Sequence, residues 1–328
     1  MIGIWQERGL AAWLLLPLAL LFRLVVALRR QAYRLGILES IRLRVPVVVV
    51  GNLAAGGAGK TPLVLALALE LARRGRRPGI VSRGYGGAVI GVREVQENDT
   101  AELIGDEPLL LRRRAGCPVF VGRDRAAAAQ ALLDAYPDRD VILTDDGLQH
   151  YRLARDVEIA VVDRRLPANS WMQPAGPCRE PLARLDEVDA VVRNGSVDMA
   201  LGGARRFDMR LEGARFASLD EPAQPARTPE RFAGQRLHAV AGIGEPQRFF
   251  DHLAALGLRC ETHAFPDHHR YAACDLDFAG DAILATEKDG VKLRGLSRLP
   301  VWVLPVDALI EPDLATFVME KLNGLPPA

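Results

Sequence analysis

Residues 47–62 read VVVVGNLAAGGAGKTP, and this stretch decides the fold that the sequence predicts. Residues 47–50 are four β-branched apolar residues, the pattern of a short strand buried on both faces of a parallel sheet. The glycine-rich segment that follows ends in Gly59-Lys60-Thr61, and residues 63–74 have the pattern of a helix. Strand, glycine-rich loop, Gly-Lys-Thr and helix, in this order, are typical of a phosphate-binding P-loop.

The composition of this loop suits the binding of ATP. Glycines let successive backbone N–H groups converge on phosphate oxygens at a helix N-terminus, where the helix dipole favours negative charge. We expect Lys60 to reach the β- and γ-phosphates and the Thr61 hydroxyl to bind Mg²⁺. Ala54 stands where the strict motif has its first glycine, and a glycine-rich turn with a chance Lys-Thr is the alternative. The expected nucleotide-binding residues are Ala54, Ala55, Gly56, Gly57, Ala58, Gly59, Lys60 and Thr61.

A second acidic element follows the apolar residues 141–143. It reads Thr144-Asp145-Asp146-Gly147, and a strand that ends in carboxylates is typical of the metal-binding edge of a P-loop protein. Asp145 or Asp146 is therefore expected to hold Mg²⁺, directly or through water. An Asp-Gly turn that merely ends a strand is the alternative.

The sequence disfavours a regulatory GTPase. Such a protein needs an N-K-x-D guanine-reading motif and a D-x-x-G switch. The nearest segments, residues 286–289 and 144–147, each fail at a required position. A P-loop alone does not determine which molecule accepts the phosphate.

Two loops after predicted strands carry basic and aromatic residues. Arg83 and Tyr85 follow residues 79–81, and Arg123 and Arg125 follow residues 119–121. Arginines at the start of a helix oppose its dipole, so a bound anion would offset their cost. Surface salt bridges are the alternative.

Two further segments carry titratable groups. Asp106 lies in Gly-Asp-Glu-Pro ahead of a leucine-rich helix, where it is either an N-cap or a general base. His268 and His269 lie in residues 265–271, FPDHHRY, and an acid/base role or simple solvation is open for them. Zinc binding by these two is not expected, since neighbouring histidines point apart.

The second half of the chain predicts a smaller α/β unit. Residues 218–235 are rich in proline and polar residues, as is typical of a boundary. A new strand is then expected at residues 237–241 and a helix at 246–256, with later strands near 282–285 and 301–304. The expected fold class is α/β, with a mostly parallel P-loop sheet, a smaller second α/β domain and an N-terminal hydrophobic helix.

The first residues have a different character from the rest. The whole chain has 42 basic and 41 acidic residues, which gives no electrostatic footprint for nucleic acid. Residues 1–44, however, hold seven arginines against two glutamates and an unbroken apolar run at residues 10–22. Thirteen residues are too few to span a bilayer, so we expect a helix that lies at a membrane surface. A signal peptide and a buried helix are the alternatives.

Taken together, these segments resemble the tetraacyldisaccharide 4′-kinase family, whose members make lipid A precursors in Gram-negative envelopes. The matching stretches, in family order between residues 45 and 293, are VVVVGNLAAGGAGKTP, SRGYGG, GDEP, VGRDR, TDDGLQH, PAGPCREP, FPDHHRY and ATEKDG.

The resemblance implies an activity and its residues. It implies transfer of the ATP γ-phosphate to the 4′-hydroxyl of a tetraacylated glucosamine disaccharide 1-phosphate, forming lipid IV-A, with Mg²⁺, at the cytoplasmic face of the inner membrane. Asp106 matches the catalytic base, His268 its partner, and Asp145 and Asp146 the acidic metal pair, while Lys60 stabilises the transferring phosphoryl group. The positions associated with the sugar-phosphate headgroup are Arg83, Tyr85, Arg123, Arg125 and Gln149.

The predicted organisation is a membrane-associating helix at 1–35, a kinase core at 36–234 and a smaller domain at 235–328. Because the P-loop and His268 fall in different domains, we expect hinge closure to assemble the site. An amphiphilic glycolipid and a membrane surface are the expected partners, with no nucleic acid and no evident protein partner. The alternatives are a kinase of another amphiphile, a membrane-tethered ATPase switch and a soluble sugar kinase.

Overall fold

The computed structural model of the protein describes residue 5 and residues 8–197, 203–221 and 223–324. Residues at the start of the predicted 1–35 unit and at the end of the predicted 235–328 unit lie outside these ranges. The α-helices are α1 (Leu10–Leu14), α2 (Leu16–Arg34), α3 (Lys60–Arg73), α4 (Ala101–Ile104), α5 (Asp106–Arg114), α6 (Arg125–Ala135), α7 (Arg165–Ala168), α8 (Pro246–Ala255), α9 (Glu287–Leu293) and α10 (Leu314–Asn323). The strands are β1 (Val47–Asn52), β2 (Pro78–Ser82), β3 (Val92–Glu94), β4 (Val119–Gly122), β5 (Val141–Thr144), β6 (Val157–Asp163), β7 (Ala190–Asn194), β8 (Arg205–Glu212), β9 (Ala217–Ser218), β10 (Leu237–Ala241), β11 (Cys260–Ala264), β12 (Ala282–Thr286), β13 (Val301–Leu304) and β14 (Asp307–Glu311).

A large sheet forms the first unit. Its nine described strands run in the order β14-β8-β7-β6-β1-β5-β2-β4-β3. The inner strands are parallel, and only the edge strands β3 and β14 pair antiparallel with their neighbours. Strand β1 lies in the middle, as its apolar sequence predicts, and its carboxyl end meets that of β5 at the same edge of the sheet.

Helices cover both faces of this sheet, which explains why residues 47–50 of β1 are all apolar. Val48 and Val50 pack into one core with the leucines of α3. Val47 and Val49 pack into the other core with the alanines and leucines of α6. Successive side chains of a strand point to opposite faces, so a strand with both faces covered needs apolar residues at every position.

A second sheet forms the smaller unit. Its five described strands run in the order β11-β10-β12-β13-β9, parallel except for the short antiparallel edge strand β9. Phe216, Phe232 and Trp302 stack edge to face in its core against helix α8. The strands and the helix expected in this region are confirmed. The whole is the α/β fold that the sequence predicts.

The two sheets divide the chain differently from the predicted boundaries of 36–234 and 235–328. Strand β9 already belongs to the small sheet, whereas β14 pairs with β8 of the large sheet and α10 packs against α3. The chain therefore crosses between the sheets twice, at residues 213–216 and 305–306. These crossings are close together, since a Cβ on Gly213 would lie 2.4 Å from the Pro305 carbonyl oxygen.

Residues 10–34, within the described part of the N-terminal segment, form two helices instead of one. Helix α1 ends at Leu14, and α2 begins at Leu16 with Pro17 in its first turn, where the missing N–H of proline is tolerated. Phe22 and Val26 pack on the core of the first unit, and Arg30 pairs with Glu187. The opposite side exposes large apolar residues: Leu10, Trp13, Leu14, Leu18, Leu20, Leu21, Leu24, Val25 and Leu28. In the part of the chain that the structure describes, no helix is long and apolar enough to cross a membrane.

Candidate active site

The P-loop connects β1 to α3. Gly59 precedes the first helical residue with φ of +92°, a conformation that favours glycine, and a Cβ there would lie 2.5 Å from Asn194 Nδ2. Asn194 in turn donates a hydrogen bond to the Ala58 carbonyl at 2.9 Å. The shape of the loop therefore depends both on its own glycines and on the packing of β7 against it.

Lys60 curls back over the loop. Its Nζ donates to the Gly56 carbonyl at 3.3 Å and to Asn52 Oδ1 at 3.2 Å, and it lies 3.6 Å from Asp146 Oδ1. The charged group is thus held at the concave side of the loop, where a phosphate group would replace these weak contacts.

The acidic pair after β5 has two different environments. Asp145 is buried, and its Oδ2 accepts a hydrogen bond from the Thr61 hydroxyl at 3.0 Å, while its Oδ1 has no partner. Burial and the nearby Glu107 carboxylate raise the pKa of Asp145 well above its usual value. Asp146 is also desolvated, but Lys60 and Arg179 outweigh this effect and hold its pKa below its usual value.

These oxygens fit the metal that the sequence predicts. A hydroxyl and carboxylate oxygens are the hard ligands that Mg²⁺ prefers. The unpartnered Oδ1 of Asp145 and its resistance to ionisation are what a buried carboxylate has when a cation is needed to stabilise its charge. The Thr61 hydroxyl and Asp145 therefore suit Mg²⁺.

Asp106 and His268 are 162 positions apart in the chain and form a close pair. His268 Nδ1 lies 3.0 and 3.1 Å from the two carboxylate oxygens of Asp106, which is almost completely buried. Asp106 is the first residue of α5 rather than its N-cap, because Gly105 occupies the cap position. A Cβ on Gly105 would lie 2.4 Å from the Tyr85 carbonyl, so glycine is needed for this close approach.

The pair favours its charged forms. Burial raises the pKa of Asp106. The hydrogen bond from His268 and the charge of Lys288 lower this pKa by more, so the net shift is downward. Burial likewise opposes the charge on His268, but its bond to Asp106 raises its pKa overall. A carboxylate that stays ionised is ready to accept a proton.

Two lysines of the small unit, to which the sequence alone gives no role, surround this pair. Lys288 Nζ lies 3.2 Å from Asp267, 3.3 Å from Glu107 and 3.4 Å from His268 Nε2. The buried Lys292 lies 3.0 Å from Asp289 and 3.7 Å from Asp106. Lys288 belongs to the ATEKDG stretch and Lys292 follows it by two residues, but this spacing does not indicate which group each lysine faces.

The predicted headgroup residues fall into two groups. Tyr85 is exposed, and its ring centre lies 5.0 Å from that of His268. Arg83 and Arg123 are exposed as well. Arg125 is buried instead and donates to the Asp146 carbonyl at 2.7 Å, and its burial lowers its pKa to about 10. Gln149 donates to Glu180 at 2.8 Å and to the Asn52 carbonyl, so its amide is engaged within the protein.

Arg179 is a further residue of the site for which the sequence predicts no role. It lies in the PAGPCREP stretch and makes hydrogen bonds to both carboxylate oxygens of Asp146, at 2.8 and 3.0 Å. It also donates to Asn52 at the end of β1. Arg179 thus joins the loop after β5 to the strand that carries the P-loop.

A cavity of about 350 Å³ separates the two units beside the P-loop. Its lining includes Lys60 and Thr61 from the first unit and Ile243, Phe249 and Lys288 from the second. Apolar walls with a few convergent charged groups are typical of a site for a nucleotide-sized ligand. Glu107 also lines the cavity, so the residue next to Asp106 faces the same space.

The site combines a P-loop on a parallel sheet, a buried carboxylate beside the Gly-Lys-Thr motif and an Asp–His pair whose neighbours Glu107 and Lys288 line the cavity. Together these features define a nucleotide-dependent phosphotransferase. A model of the family described as tetraacyldisaccharide-1-P 4′-kinase matches residues 11–323. The chain belongs to this family, whose members are ATP-dependent kinases of lipid A biosynthesis.

Individual relatives agree with this assignment. The tetraacyldisaccharide 4′-kinase of Azoarcus sp. (strain BH72) is 54% identical over 328 residues, 99% of this chain and 96% of the relative. The enzyme of the same name from Aromatoleum aromaticum is 53% identical over 99% of this chain and 98% of its own length. The crystal structure of LpxK from Aquifex aeolicus in complex with ATP superposes with a TM-score of 0.82 at 29% identity, covering 95% of this chain and all of that one.

Proposed function

We propose that this kinase transfers the γ-phosphate of ATP to the 4′-hydroxyl of a tetraacylated glucosamine disaccharide 1-phosphate and so forms lipid IV-A. The observation that carries the proposal is the Asp106–His268 pair, which Lys288 and Glu107 connect to the cavity beside Lys60. An ATPase that transfers phosphate only to water has no need of a base for a sugar hydroxyl. The relatives are named tetraacyldisaccharide 4′-kinase, which supports this acceptor.

Asp106 acts as the general base in this proposal. A sugar hydroxyl is a poor nucleophile, and an adjacent carboxylate accepts its proton as the new O–P bond forms. His268 orients Asp106 through their hydrogen bond and favours its ionised form. Lys288 and Lys292 add positive charge around the pair and so help to keep Asp106 deprotonated.

The P-loop holds the nucleotide. The backbone N–H groups of residues 54–59 and the Lys60 ammonium group bind the phosphates, and Lys60 stabilises the charge on the transferring phosphoryl group. Thr61 and Asp145 would hold Mg²⁺, with Asp146 directed to Lys60 and Arg179 instead. Bound Mg²⁺ supplies neutralisation of the charge on the β- and γ-phosphates.

The headgroup of the lipid is proposed to contact Tyr85, whose ring lies beside His268, and two exposed arginines. Tyr85 and Arg83 come from the loop after β2, and Arg123 from the loop after β4. Arg125 and Gln149, which the resemblance also implies, are proposed to act from behind this surface, since their polar groups already bind Asp146 and Glu180. The exposed apolar side of α1 and α2 would place the enzyme on the membrane that contains its substrate, and we propose the cytoplasmic face of the inner membrane.

The proposal is tested by phosphate transfer from [γ-³²P]ATP to the detergent-solubilised disaccharide 1-phosphate. Asp106→Asn preserves the shape of the side chain and removes the base, so labelled lipid should fall by about 10²–10⁴-fold. Asp275→Asn is the matched control, because Asp275 forms a second Asp–His pair with His269 at 3.1 Å but lines neither the cavity nor the small pocket around Asp106. Its activity should stay near that of the wild type.

Two outcomes would contradict the proposal. Equal activity of Asp106→Asn and wild type would remove Asp106 from the role of base. ATP hydrolysis without labelled lipid in the wild type would show that the acceptor is wrong and would favour the ATPase switch.

A further inference from the structure

A second cluster of chemically active side chains lies on the small sheet, outside the kinase cavity. Strands β10 and β11 are parallel neighbours, and His238 of β10 lies opposite Glu261 of β11. His263 is two positions beyond Glu261, so it shares the same face of the strand. The register of two strands thus brings two imidazoles and one carboxylate together.

The distances within this trio are those of a potential metal site. His238 Nδ1 lies 3.0 Å from His263 Nε2 and 3.7 Å from Glu261 Oε2. One ligand atom from each of the three residues lies within 4.8 Å of the others. A tetrahedral ion with bonds of about 2.0–2.1 Å needs ligand atoms about 3.3–3.4 Å apart. Small side-chain adjustments would therefore suffice for coordination.

The surroundings prepare His238 to be a ligand. His238 is only 1% exposed, and its Nε2 lies 3.3 Å from the Ala279 carbonyl oxygen, which accepts a hydrogen bond from Nε2–H. The proton therefore belongs on Nε2, and Nδ1 presents its lone pair to His263 and Glu261. A second hydrogen bond that fixes the tautomer is the usual support of a metal-binding histidine.

Two further features orient the rings. Phe278 stacks on His238 and on His263, with ring centres 4.6 and 4.0 Å away. A Cβ on Gly280 would lie 2.8 Å from His238 Nε2, so glycine allows the loop to approach the ring.

We propose that His238, Glu261 and His263 bind one divalent transition-metal ion of the Zn²⁺ type. Two imidazoles and a carboxylate suit Zn²⁺ and its neighbours better than Mg²⁺ or Ca²⁺. Glu261 is exposed, so the fourth position faces solvent. Its competing ion pair with Arg236 is long, at 3.9 Å, and costs little to break.

The position of this site gives it a structural consequence. Strand β11 is an edge strand, and the chain passes from its last residue, Ala264, into the loop that carries His268. A metal ion that joins His238 to Glu261 and His263 would fasten this edge strand to β10. The ion would therefore stabilise the base of the loop without entering the kinase cavity, and the inference does not depend on the proposed reaction.

The test uses full-length enzyme without an affinity tag, purified in detergent and freed of metal. Zn²⁺ affinity is measured by competition with a chromophoric chelator, and Co²⁺ serves as a spectroscopic probe of geometry. We expect one Zn²⁺ per chain and the intense visible absorption of tetrahedral Co²⁺. His263→Gln and Glu261→Gln should each weaken Zn²⁺ binding by at least about 10–100-fold, because the loss of a residue that only supports a metal ligand already has an effect of this size.

A matched control separates this site from other histidines. His252→Gln removes a histidine of α8 whose Nε2 lies 2.6 Å from the Gly213 carbonyl, outside the trio, and should leave Zn²⁺ binding unchanged. Zn²⁺ should also raise the melting temperature of the wild type but not that of His263→Gln. Binding that survives in both His263→Gln and Glu261→Gln, or binding weaker than millimolar in the wild type, would overturn the proposal.

Discussion

At the scale of single residues, one hydrogen bond couples the protonation of Asp106 and His268. The bond lowers the pKa of the carboxyl group and raises that of the imidazole. Each shift makes the free energy of unfolding depend on pH, because the pKa of the group differs between the folded and the unfolded chain.

The raised pKa of His268 predicts how this dependence runs. Its contribution to stability is complete below the unfolded pKa of about 6.5 and is lost as the pH rises through the higher folded value. The difference in unfolding free energy between wild type and His268→Gln should therefore shrink by about 1 kcal/mol between pH 6 and pH 9. Denaturant titrations at several pH values measure it. The same comparison made in an Asp106→Asn background should show no such trend, and a trend that persists there would rule out Asp106 as the cause.

At the scale of elements, the conformation of the P-loop depends on its contact with Asn194 of β7 as well as on its own glycines. Gly57 and Gly59 lie in this loop but differ in their surroundings. Gly59 has a positive φ and no room for a Cβ, whereas a Cβ on Gly57 would meet nothing within 4 Å.

These two glycines therefore form a matched pair for mutation. Gly59→Ala should lower the free energy of unfolding by about 1–3 kcal/mol, because the residue must adopt a left-handed conformation and displace Asn194. Gly57→Ala should change it by less than about 0.5 kcal/mol. Denaturant titration of both variants provides the measurement. Equal losses of stability would show that the loop is not held by its contact with Asn194.

At the scale of the whole molecule, the exposed apolar residues are concentrated on α1 and α2. A surface patch of this kind marks an interaction site, whereas single exposed apolar residues are ordinary. Ile90 is such a single residue, 98% exposed and far along the chain from the helices.

This asymmetry predicts how the enzyme associates with lipid vesicles. A Leu21→Asp/Leu24→Asp variant should float with vesicles at least about tenfold less than wild type, since two apolar side chains would no longer enter the interface. Ile90→Asp should float like the wild type. Flotation in a density gradient measures both variants. Equal flotation of all three proteins would exclude the N-terminal helices as the membrane contact.

The two units also raise a question of the whole molecule. Asp106 belongs to the first unit and His268 to the second, and the structure holds them in contact. Closure of a hinge between the units as the step that assembles the site stays a prediction.

The sequence by itself determined the local features: the strand, loop and helix around Lys60, the acidic end of β5 and the α/β class. These follow from residue periodicity and turn chemistry, which act over a few neighbours in the chain. Only the tertiary structure decided that Lys288 faces Glu107 and Lys292 faces Asp106. It also decided that Arg125 and Gln149 turn inward and that β14 returns to the first sheet. The tertiary structure also brings His238, Glu261 and His263 together, and no local motif predicts this trio. Contacts of this kind depend on strand register and on packing between distant segments, and a single sequence does not state which segments will meet.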